Sequence, residues 1–91
     1  MAASRETVIV KMKARAGEQS TQILCEAIVT LGSLPRTPET NMTRVVMLDV
    51  LCERHPEAEA AAEAWAASDA TYDPADHDLA VVGAALTAIG A

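Results

Sequence analysis

The sequence predicts a mainly α fold, a compact bundle of about four helices with a short N-terminal β-strand, and three observations point there. Pro38, Pro56 and Pro74 each stand where a helix-like segment begins, the first helical position, at which a missing N–H costs nothing. Apolar residues then recur at three- and four-residue spacing inside those segments. Although 51% of residues are apolar there is no Phe, and Trp65 and Tyr72 are the aromatics; Ala, Val, Leu, Ile and Met must fill the core, which suits closely spaced helices.

Taken in order, residues 1–17 form a basic N-terminal segment in which residues 7–13 suit two descriptions. Val8, Ile9 and Val10 favour a strand, with Val8, Val10 and Met12 on one face and Thr7, Ile9, Lys11 and Lys13 on the other. Ile9, Met12 and Ala16 also fit a helix running on toward Ile23 and Ala27, but Gly17 interrupts that run, so a separate element is the expectation, a strand or a flexible segment. Residues 18–31 read as a helix with Ile23, Leu24, Ala27, Ile28 and Leu31 on one side and Gly32 as its stop.

Thr37 is a good N-cap for the next helix, 38–54, whose Met42, Val45, Val46, Met47, Leu48, Val50, Leu51 and Cys52 cover most of the circumference. A helix apolar on so many sides is central. Pro56 disfavours helical geometry at His55, so this helix ends there and another, 56–67, begins. It is built from Ala and Glu of high helix propensity, with Trp65 in reach of Ala61 and Ala62. A polar loop, 68–72, leads to Asp73, a second good N-cap with capping-box spacing to Asp76. The last helix, 74–89, carries Leu79, Val82, Leu86 and Ile89 at three-four spacing, and Gly90 is its natural stop. The three prolines lie 18 residues apart, but the segments share too little else for an internal repeat.

With 91 residues the chain is read as one domain, 1–91, and a domain this small buries only roughly 60 to 65% of its unfolded surface. Alanine adds little area at roughly 25 cal/mol per Å², so a homodimer that buries more is expected. The longest apolar stretch, 79–91, is 13 residues and holds Gly83 and Thr87, short of the 18 or so that a membrane span needs. Glu6 stands where the apolar run of a secretory signal would begin. Together with Cys25 and Cys52, which sit in apolar helical patterns as small reduced hydrophobes, this leads to an expected cytoplasmic setting.

Chemistry has little to stand on. His55 and His77 lack metal-site spacing to each other or to the cysteines, and both read as solvent-facing. The Asp69, Asp73, Asp76 and Asp78 group lacks the Gly and terminal Glu of a calcium loop, and helix capping already accounts for these acids. There is no nucleophile elbow, no phosphate-cradling glycine loop and no acid-base pair. A non-enzymatic protein with no cofactor and no metal is expected.

Charge is the informative term. Residues 1–17 hold Arg5, Lys11, Lys13 and Arg15 against Glu6, whereas from His55 onward there is no Lys or Arg, and Glu57, Glu59, Glu63, Asp69, Asp73, Asp76 and Asp78 are all acidic. The leading expectation is an acidic protein-binding module that uses those seven residues to dock on a basic, nucleic-acid-handling surface of a partner. Small nucleic-acid mimics work this way, and an inhibitor of the phage-encoded anti-CRISPR type would fit in size and charge by analogy. The alternative is a dimeric DNA-binding regulator in which residues 7–13 pair as a two-stranded ribbon and place Arg5, Lys11, Lys13 and Arg15 on DNA, loosely similar to a ribbon-helix-helix arrangement. A third reading makes the chain a structural subunit of a helical homo-oligomer joined through Leu79, Val82, Leu86 and Ile89. The simpler expectation for those four is an ordinary intramolecular core.

Overall fold

A computed structural model describes residues 5–68 and 74–90 of the chain. Among them are five helices and no strand: α1 (Arg5–Gly17), α2 (Thr21–Gly32), α3 (Pro38–Arg54), α4 (Pro56–Ala67) and α5 (Pro74–Ala88). The mainly α class stands, with one helix more than expected. The extra one is α1, which occupies the segment expected to be a strand.

The β-branched run at Val8–Val10 favours a strand by intrinsic preference, and packing overrides it. On α1 the three-four spacing of Ile9, Met12 and Ala16 lays Ala16 in the core and Ile9 and Met12 against it, with α3 as the supporting helix. Val8 and Val10 are left exposed. Gly17 ends α1 rather than interrupting a longer helix. Glu18 and Gln19 N–H close the last turn onto the carbonyls of Arg15 and Ala16 at 3.1 and 3.0 Å, and the Arg54 guanidinium donates to the Gly17 carbonyl at 2.7 Å.

Ser20 then starts α2 as N-cap, its hydroxyl accepting from Ile23 N–H at 3.1 Å, a contact worth about 1 kcal/mol against alanine. The helix therefore begins at Thr21, later than expected, and runs through Gly32 to a cap at Ser33. Thr37 caps α3 in a reciprocal box with Thr40, and Pro38 and Pro56 stand at helix starts as the sequence demands. The capping role of Asp73 lies outside the described residues. Gly90 takes φ of 77°, the left-handed geometry that suits glycine after a helix.

Helix α3 is the hub, packed against α1, α2, α4 and α5, while α5 also lies along α2 and α4. Val46, Leu48, Val50 and Leu51 of α3 meet Leu24, Cys25 and Ile28 of α2, Ala58 of α4 and Val81, Val82 and Ala85 of α5 in one core. Leu24, Ile28, Leu51 and Val81 are the largest side chains fully out of water, each stabilising by about 1.5–3 kcal/mol. Both cysteines are free thiols, Cys25 buried and Cys52 half-buried. No helix among the described residues is long and apolar enough to cross a membrane.

The expected core face of α5 is corrected. Its buried stripe is Asp78, Val81, Val82 and Ala85; of the expected set only Val82 is buried, Leu86 is half-buried, and Leu79 and Ile89 are exposed. The reason is polar. Arg44, in the middle of the apolar hub, needs a carboxylate, and Asp78 turns inward to meet it, rotating Leu79 out.

Candidate functional site

Where the acids lie decides what the charge can do. Glu57, Glu59 and Glu63 of α4 and Asp76 of α5 are exposed. Asp69 and Asp73 lie outside the described residues. Asp78 is buried at 4% exposure, so it leaves the expected docking surface. One nitrogen of Arg44, itself 7% exposed, donates to both Asp78 carboxylate oxygens at 2.6 and 2.8 Å. The other terminal nitrogen donates to the Asn41 side-chain carbonyl at 2.7 Å, and His77 Nδ1 lies 3.1 Å from Asp78 Oδ1. Neither histidine is simply solvent-facing. His77 is half-buried against Asp78, and His55, also half-buried, has its Nε2 2.8 Å from the Thr21 hydroxyl.

The acids that do converge come from two helices. Asp49 and Glu53, one turn apart on α3, and Glu59 on α4 line a hollow of about 200 Å³ with Lys13 and Cys52. Glu63 follows Glu59 by one turn and extends the same stripe. Glu57, two residues before Glu59 on a helix of 3.6 residues per turn, leaves from another side. The hollow's field is legible in its two other titratable groups. A hydrogen bond to Glu53 holds the Lys13 ammonium above the usual lysine range, outweighing the opposing cost of burial, and the charges of Glu53 and then Asp49 add to it. Burial pushes the Cys52 thiol up, and Asp49 and Glu59 push it further. Lys13 forms an ion pair with Glu53 and is the cation lining this hollow.

Sequence reasoning missed Asp49 and Glu53, because their place beside α4 depends on how α3 and α4 fold back on each other at Pro56. Their spacing of four on a helical pattern was the available signal.

The basic candidates do not form a ribbon. Lys11 and Arg15 are exposed on α1, Lys13 is turned to Glu53, and the Arg5 side chain lies outside the described residues. Residues 7–13 are helical, so the expected two-stranded ribbon is corrected to a helix.

Among the described residues no three His, Cys, Asp or Glu side chains converge in a way that would hold a metal ion. Comparison with known proteins finds no matching family model, no similar curated protein and no similar solved structure.

Proposed function

We propose that the chain is an acidic protein-binding module whose contact surface is the α3–α4 stripe of Asp49, Glu53, Glu59 and Glu63, with Glu57 and Asp76 at its margin. The observation that carries this is the convergence of Asp49, Glu53 and Glu59 on one hollow with Lys13 as its cation. Like charges one helical turn apart, Asp49 with Glu53 and Glu59 with Glu63, each destabilise a helix by about 0.2–0.5 kcal/mol. Beyond the pair of Glu53 with Lys13, folding gains little from that arrangement, whereas a basic partner does. Such a field speeds encounter with cationic proteins and repels nucleic acid phosphates. The partner class is a protein with a basic, nucleic-acid-binding surface, which this stripe would occupy in place of the polyanion.

The test is a comparative pull-down from a host or target-cell lysate with the wild-type chain and an Asp49→Lys/Glu59→Lys variant. The expected partner is basic, elutes with salt, and is lost from the variant while its helical circular-dichroism signal is kept. Capture indifferent to charge reversal and salt overturns the reading, as does binding of duplex DNA by the wild-type chain at low salt.

A further inference from the structure

Much of the exposed apolar surface among the described residues belongs to two neighbouring helices. Of eight exposed large apolar side chains among the described residues, five belong to α2, its exit and α5: Ile23, Val29, Leu34, Leu79 and Ile89. The two helices run antiparallel, since Cys25 and Glu26 of α2 meet Val82 and Leu86 of α5 whereas Gly32 and Ser33 meet Asp78 and Leu79. Between them lie two hollows of about 480 and 230 Å³, which share Val29. This face therefore carries both protrusions, Val29 at 49% and Leu79 at 55% exposure, and the hollows to receive them.

We propose that this α2–α5 face is the contact of a homodimer, with a second copy of the chain as its occupant. Three observations select a second copy. First, a contact between identical chains related by a two-fold axis needs knobs and holes on the same patch, and this face has both. Second, the chain has a net charge of −6 and repels itself wherever its acids are exposed. From Leu79 to Ala91 no side chain is charged, and from Thr21 to Pro35 only Glu26 is; Glu26 lines the larger hollow, so it is the one like charge that two copies meeting on this face must keep apart. Third, the area suffices. Helices of 12 and 15 residues are roughly 18 and 22 Å long and pack roughly 8–10 Å apart. Their outer face offers on the order of 600 Å² of accessible surface per copy, and about 1,200 Å² in total is the lower bound of stable interfaces. Two antiparallel pairs stacked in this way make a four-helix bundle, in which the exposed Leu79 and half-buried Leu86 of α5 lie at the seam between chains while Val82 stays in the core of each. The face shares no residue with the acidic hollow, so each dimer would carry that hollow twice.

Sedimentation equilibrium of the full chain over a wide concentration range tests this. The expected mass for the wild type is twice the 9.6 kDa of one chain. Val29→Glu and Leu79→Glu, both at exposed positions, should each weaken the dimer at least tenfold with the helical signal unchanged, and Val10→Glu on α1 should leave it intact. If a charged variant loses helical signal, Leu79→Ser is read in its place. Reversing Asp49 and Glu59 to Lys should not dissociate the dimer, which separates this contact from the acidic one. A wild-type chain monomeric throughout, as expected if the face serves an unrelated helix, overturns the proposal. So does a dimer that survives both glutamate variants.

Discussion

Arg44 of α3 and Asp78 of α5 form a buried ion pair 34 residues apart in sequence, with side-chain exposures of 9 and 6% and a shortest N–O distance of 2.6 Å. It ties the last helix to the hub and sets the rotation of α5, and so decides which residues of that helix reach water. The pair is incompletely satisfied, because the buried Arg44 Nε has no hydrogen-bond partner among the described residues.

Removing one partner strands a buried charge, and this costs about 3–5 kcal/mol. Asp78→Leu and Arg44→Met should each lower the urea midpoint accordingly. The double replacement Arg44→Met/Asp78→Leu should recover most of the loss, since an apolar pair of similar volume is often as stable as the ions it replaces. Chemical denaturation of the four species closes the cycle. Additive losses in the double variant would remove the pair from its role as the α3–α5 tie.

Neighbouring positions on α5 should respond in opposite ways. Val81 is fully buried and Leu79 is 55% exposed. Val81→Asp should abolish the cooperative thermal transition, because an unpaired carboxylate in the core costs several kcal/mol. Leu79→Asp should change the stability of the isolated fold by less than about 0.5 kcal/mol, the usual size of surface effects. Equal damage from the two would mean that α5 is rotated from the orientation described.

Cysteine chemistry reports the acidic hollow directly. With its thiol pKa raised by burial and by Asp49 and Glu59, Cys52 holds less thiolate at a given pH than a free thiol does. Its alkylation at pH 8 should therefore be slow and rise with pH to a midpoint above that of a free thiol. Asp49→Asn and Glu59→Gln each remove a charge that disfavours the thiolate, and each should speed the reaction. Cys25, buried at 2% exposure, should react only on unfolding. Unchanged Cys52 rates in both variants would mean that these carboxylates do not converge.

Helix α1 packs chiefly on one neighbour, α3, and should be separable from the rest of the fold. Met12 packs on the core and Arg54 holds the Gly17 carbonyl. Met12→Ala should cost about 2–3 kcal/mol, toward the low end for such truncations because the site is only partly buried. Arg54→Ala should cost about 1 kcal/mol for the lost hydrogen bond. Hydrogen exchange should show the loss of protection in residues 7–17 before α2–α5 are affected. Uniform loss along the chain would make α1 integral to a single cooperative unit.

Much of the fold is legible in the chain itself, because its signals are local. Pro38 and Pro56, with the cap at Thr37, act through backbone geometry and hydrogen bonds within a turn, and such terms hold whatever the rest of the molecule does. The apolar circumference of 38–54 likewise announces a hub, since a helix apolar on most sides has to be surrounded. Residues 7–13 were not legible: Val8–Val10 favour a strand by weak intrinsic preference, and the stronger effect, burial of Ile9, Met12 and Ala16 against α3, acts at a distance in sequence.

The site divides along the same line. The order of residues alone determined that the chain is acidic toward its end, that Lys and Arg stop at residue 54, and that helices account for its apolar pattern. Only the tertiary structure decided which acids act together. It took Asp78 into the core with Arg44, brought Asp49 and Glu53 beside Glu59, and turned Leu79 and Ile89 outward. A count of charges is a property of the chain, whereas a field or an apolar face depends on distances between helices, and those are set by packing and by one buried ion pair.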